Sequence, residues 1–181
     1  TVLMDAGFTN KGTNEVVPYL QGIALQAADG LAHTIAGHLD TDHFVGFHEV
    51  FEAGYDVRVA NWYNGSSKSN TYVTEYKSAC TLTTAGAPVA IPLGHVIDLG
   101  NGATLTVVAV AGNVIGYGHV AGATDENDLS IAVLVQYGSF DFLWTSDLGG
   151  GDDDRACTGR STTQVNLETP LAQSITPGGA W

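Results

Sequence analysis

Four side chains able to bind a metal ion fall within the six residues His38-Leu39-Asp40-Thr41-Asp42-His43. Imidazole and carboxylate donors together suit zinc, manganese or iron. Residues 31–36 just upstream read as a short apolar strand. Downstream, Phe44-Val45-Gly46-Phe47-His48-Glu49-Val50-Phe51 is apolar on one helical face and ends before Gly54. A loop between a strand and a helix lets side chains converge without being committed to packing. The plainer alternative is a solvated loop in which Asp42 caps the following helix. Two histidines interleaved with two aspartates weigh against it.

The rest of the chain reads as the scaffold for that loop. Thr1-Val2-Leu3-Met4-Asp5-Ala6-Gly7 is a buried strand running into a turn, so preceding strands are expected to be missing from this sequence. Residues 13–20 form a short helix if Pro18 lies in its first turn. Residues 55–62 alternate as a strand, Asn64-Gly65-Ser66-Ser67 marks a loop, and residues 71–79 suit an exposed helix leading to Cys80. The second half is β-rich. Residues 96–99 and 103–110 flank Gly100-Asn101-Gly102, and residues 131–136 and 140–145 flank Tyr137-Gly138-Ser139; both read as hairpins. After Gly149 the pattern dissolves, apart from a helix near residues 165–175. One domain over residues 1–181 is the simplest organisation.

The loop resembles the His-x-His-x-Asp-His signature of the metallo-β-lactamase superfamily, with Asp40 at the middle histidine. That form is similar to the ComEC-type competence nuclease-like domain and its secreted relatives. Leu3-Met4-Asp5-Ala6-Gly7 resembles the strand and turn before the metal loop, and Asn127-Asp128-Leu129-Ser130 an Asn-x-x-Ser segment of the same branch. Phe140-Asp141-Phe142-Leu143-Trp144-Thr145-Ser146-Asp147 resembles the strand that ends in a metal-bridging aspartate. The resemblance covers residues 1–150. It implies an α+β, metallo-β-lactamase-like αββα sandwich, truncated at both ends. It also implies two divalent metal ions, zinc or manganese: His38 and Asp40 on the first, Asp42 and His43 on the second, Asp147 bridging. Two ions about 3.5–4 Å apart would hold a bridging hydroxide and clamp a phosphoryl or acyl oxygen.

Two departures from the family pattern stand out. A histidine-rich segment is expected after the bridging aspartate, yet no histidine follows His119. The third histidine of the first ion is also missing, with His119 or Asn127 as stand-ins. His33 and His48 read as packing or surface residues, His95 has no partner in sequence, and Asp152-Asp153-Asp154 reads as a solvated acidic loop.

Composition narrows the partners. Hydrophobic residues at 44% and charged residues at 14% describe a globular chain rather than a disordered one. Six Lys+Arg against 19 Asp+Glu give a net charge of -13, which repels long polyanions unless bound cations offset it locally. No run is long and apolar enough for a membrane helix, so no membrane insertion is expected. Cys80 and Cys157 sit in polar sequence and suggest one disulfide, hence a secreted, periplasmic or extracellular setting.

These readings converge on a metal-dependent phosphodiesterase or nuclease, with Asp42 and Asp147 as the catalytic carboxylates. Two alternatives stay open. One is an enzyme similar to phosphorylcholine esterases. The other is a non-catalytic extracellular binding or structural module with a degenerate site.

Overall fold

The computed structural model describes residues 1–152 and 163–175. The chain forms two compact units, Thr1–Ala90 and Ile91–Trp181.

The first unit is built on a parallel sheet in the order β1 (Val2–Met4), β2 (Leu31–Ile35), β3 (Val57–Tyr63), β4 (Val89–Ala90). Parallel neighbours cannot be joined by tight turns, so each connection carries helix. A π-helical turn at Gly12–Val16 leads into α1 (Val17–Gly22), where Pro18 occupies the first turn and needs no backbone partner. Between β2 and β3 lie α2 (Thr41–Phe44) and α3 (Gly46–Glu52); between β3 and β4 lies α4 (Thr71–Cys80). Phe44, Phe47 and Val50 recur every three residues, and all three are fully buried. Phe44 and Phe47 pack with Leu39, Val73, Tyr76 and Cys80 in one core cluster.

The α4 segment corrects the expectation of an exposed helix. Asn70 caps it by accepting from the Val73 N–H at 2.9 Å. Val73, Tyr76, Ala79 and Cys80 then line a buried face. The expected Cys80–Cys157 disulfide is also not formed: Cys80 is a free thiol with no exposed surface, and Cys157 lies outside the described residues. The polar residues before Cys80 belong to the outer face of a helix whose inner face carries the thiol. Burial pushes that thiol up to about 12.

The second unit is an antiparallel sheet with β5 (Val96–Gly100), β6 (Ala103–Val110), β7 (Asn113–Val114), β8 (Gly118–His119), β9 (Ala132–Tyr137) and β10 (Phe140–Trp144). Its order is β10-β9-β6-β7-β8, with β5 also paired to β6. Both hairpins form where expected. Gly100, Asn101 and Gly102 hold φ of 86°, 56° and 81°, the left-handed region that Gly and Asn tolerate. The helix expected near residues 165–175 is α5 (Glu168–Ser174), with Leu171 buried against Val108, Val114 and Leu167. Helices and sheets in these proportions make an α+β protein. No helix among the described residues is long and apolar enough to cross a membrane.

Candidate metal centre

The metal loop leaves β2 at Ile35 and is tied at its start to two neighbouring strands. Ala36 N–H donates to the Trp62 carbonyl at 2.9 Å, and Asp5 N–H donates to the Ile35 carbonyl at 2.9 Å. Asp5 has a φ of 53°, a left-handed conformation that aspartate accepts more readily than most residues. This turns its carboxylate toward the loop. Oδ1 accepts the Gly37 N–H at 2.7 Å, and Oδ2 lies 2.7 Å from His43 Nδ1.

The backbone closes the same contact from the other side. Ala6 and Gly7 N–H groups donate to the His43 carbonyl at 2.7 and 3.1 Å, and Gly46 N–H donates to the Gly7 carbonyl at 2.9 Å. A Cβ at Gly46 would stand 2.0 Å from the Ala6 oxygen, so only glycine permits this approach.

Within the loop, Leu39 is fully buried and anchors the chain between His38, also fully buried, and Asp40, which precedes α2. His38 Nε2 lies 3.5 Å from Asp40 Oδ2, and His43 Nε2 lies 3.9 Å from Asp42 Oδ2. The two imidazole rings stand 4.1 Å apart between centroids, tilted by 51°. His38 thus faces Asp40 and His43 faces Asp42, while the two imidazoles stand side by side.

These distances bear directly on whether a cation fits. Two donors each about 2.0–2.2 Å from one tetrahedral zinc ion lie about 3.3–3.6 Å apart. The His38–Asp40 spacing already meets this, and the His43–Asp42 spacing needs a few tenths of an ångström. Nδ1 of His43 faces a carboxylate, which accepts the ring proton and leaves Nε2 with its lone pair for a metal. The residues present therefore fit a divalent cation. Asp42 is the outermost of them, its side chain 72% exposed.

Two members of this group went unassigned in the sequence. Asp5 belongs to the strand and turn that resembled the family, but no role attached to it. Lys68 lies in no motif, and its Nζ pairs with Asp40 Oδ1. Its only signal was the rarity of cations in so acidic a chain.

Asp147 belongs to the second unit, exposed in a turn after β10 in which Leu148 N–H donates to the Thr145 carbonyl at 3.1 Å. His119 is exposed in β8, and Asn127 opens the short 3-10 helix Asn127–Leu129. His33 accepts from the Trp62 indole N–H at 3.1 Å, and His48 pairs with Glu52 at 3.2 Å.

No protein-family model matches the chain, and no curated protein matches it. Solved structures do. A Cronobacter sakazakii metallo-β-lactamase with a HARLDQ motif matches at a TM-score of 0.50 and 15% identity, over 96% of this chain and 60% of that one. A mutant described by the same motif matches at 0.52 and 13%, over 82% of this chain and 53% of that one. The chain thus spans little more than half the length of these neighbours. At such identities the likeness speaks for fold alone, and on that ground the chain has the fold of the metallo-β-lactamases.

Proposed function

We propose that this chain is a divalent-metal-dependent hydrolase whose substrates are phosphodiesters, either nucleic acid or a smaller diester. The observation that carries the reading is the pairing of His38 with Asp40 and of His43 with Asp42, with Asp5 orienting His43. The motif named for the Cronobacter neighbour begins with His and has Asp in fifth place; His38 and Asp42 hold the same places in the six-residue loop.

His38, Asp42 and His43 would hold the metal, and the resemblance adds Asp40 and Asp147. A divalent cation there would polarise the bond under attack and ease deprotonation of water near neutral pH. The protein supplies the geometry. Buried His38 cannot swing away, Asp5 fixes the tautomer of His43, and Asp42 keeps an oxygen free to orient the attacking water by hydrogen bonding. The -13 charge disfavours long polyanions approaching from a distance, so short diesters are the better first substrates.

A specific observation favours a second reading: Lys68 already neutralises Asp40, as in a binding module whose site has lost catalysis. An extracellular location belongs to the proposal through the secreted relatives that the sequence resembles; free Cys80 lends it no support.

The test strips the full-length protein with chelator and returns Zn²⁺ or Mn²⁺ while following bis(p-nitrophenyl) phosphate. Hydrolysis should vanish and return with metal. No hydrolysis under any metal would leave the binding module.

A further inference from the structure

Beside the metal loop lies an open cavity of about 390 Å³. Asp5 and Asp42 of the candidate metal centre share its lining with Ala6, Phe8, Lys11 and Val16. The turn after β1 that carries Phe8 is fixed by backbone bonds. Gly7 N–H donates to the His43 carbonyl, and Lys11 N–H donates to the Phe8 carbonyl at 3.0 Å. Glu49 on α3 accepts the Asn10 and Thr13 N–H groups at 2.5 and 2.8 Å. Gly7 holds a φ of 75°, and a Cβ there would stand 2.7 Å from Lys11 Cβ. A side chain at that position would push the lysine stem off the turn. On this rigid frame Phe8 is 42% exposed, and its ring centroid lies 6.1 Å from that of Tyr72 on α4, itself 41% exposed.

We infer that this cavity receives one ester arm of the diester, and that the arm it takes is planar, aromatic and uncharged, packed on the Phe8 ring. This rests on the phosphodiesterase reading above and names the substrate class within it.

Position, shape and charge carry the argument. Asp42 belongs to both the candidate metal centre and the cavity, so a diester whose phosphoryl group lies at the metal has an arm that can enter. Fixed apolar surface with a few polar groups around it is what a small-molecule subsite offers. An exposed aromatic face is best covered by a second ring. The charged side chains disfavour a second anion. Lys11 Nζ already pairs with Glu15 Oε1 at 2.5 Å, so those charges cancel. The remaining ionic groups of the lining, Asp5 and Asp42, are both acidic. An arm ending in a further phosphate or carboxylate would meet repulsion from both.

The test measures binding to full-length protein equilibrated with Zn²⁺, by isothermal titration calorimetry, with zinc content checked by elemental analysis. Diphenyl phosphate and diethyl phosphate carry the same single negative charge, so their difference reports the arm. Wild type and Phe8→Tyr should bind diphenyl phosphate at least about tenfold more tightly than diethyl phosphate. In Phe8→Ala, at unchanged zinc content, the preference should fall to about twofold or less. Bis(4-carboxyphenyl) phosphate should bind wild type at least about tenfold more weakly than diphenyl phosphate. A wild type that binds the phenyl and ethyl probes equally or not at all would overturn the inference. So would a Phe8→Ala that keeps the preference, or a carboxylated probe bound as tightly as diphenyl phosphate. Hydrolysis of bis(p-nitrophenyl) phosphate, followed in parallel, keeps the two claims apart. Preference without hydrolysis leaves the subsite and removes the hydrolase; hydrolysis without preference does the reverse.

Discussion

Asp5 and His43 lie 38 residues apart in sequence, and their side chains meet at 2.7 Å between Oδ2 and Nδ1. The same carboxylate accepts the Gly37 N–H, so one residue fixes both the backbone of the metal loop and the ring orientation of a candidate ligand.

Asp5→Asn separates these two duties. Asparagine tolerates the left-handed φ and its oxygen can keep the Gly37 bond, so thermal stability should stay close to wild type. Its NH2 group, however, donates to His43 Nδ1 and drives the ring proton to Nε2, the nitrogen needed by a metal. Zinc affinity measured by competition with a chelating dye should fall about 10–100-fold. Unchanged affinity in a folded variant would remove Asp5 as the residue that positions His43.

Asp128 is a buried carboxyl that serves no candidate site. Oδ1 accepts the Val165 N–H at 3.1 Å, while Oδ2 is buried with no hydrogen-bond partner among the described residues. Desolvation raises its pKa, opposed by backbone donors and assisted by nearby Asp125. A carboxyl raised on folding stabilises the protonated native state. Its contribution is complete below the unfolded value of about 3.9 and is lost as pH rises through the folded value. Urea midpoints of wild type and Asp128→Asn should therefore diverge in the variant's favour as pH rises from about 4. A constant difference between them across that range would contradict this.

Cys80 is expected to behave as an inert core thiol. Raised to about 12 and fully buried, it presents almost no thiolate at neutral pH. Iodoacetamide should leave it unmodified in the native protein and label it fully after denaturation without reductant, as read from the mass of its peptide. Failure to label in the denatured, unreduced chain would restore the disulfide.

Much of the architecture was legible because its signals are local. Four potential ligands crowded into six residues announce the candidate metal loop, and the left-handed turn at Gly100-Asn101-Gly102 marks its hairpin. What escaped depends on contacts between distant segments. Nothing near Asp5 points to His43, and nothing near Lys68 points to Asp40, 28 residues away. The backbone partner of the Asp128 carboxylate, the Val165 N–H, lies 37 residues downstream. Cys80 is a different kind of miss. Val73, Tyr76, Ala79 and Cys80 fall at helical spacing, so the apolar face is present in the sequence, but the polar residues between them mask it.

The most direct measurement of the central claim compares Asp42→Asn with His48→Ala in phosphodiester hydrolysis by the full-length protein with added Zn²⁺ or Mn²⁺. Asp42 stands 3.9 Å from His43 Nε2, whereas His48 pairs with Glu52 on α3. Asp42→Asn keeps the side chain's size but removes its charge, so the metal is held less tightly and the attacking water loses an oriented acceptor. Turnover should fall at least about a hundredfold, roughly 2.7 kcal/mol of transition-state stabilisation, while His48→Ala should fall far less. Equal losses in the two variants, or a wild type with no metal-dependent hydrolysis, would contradict the account.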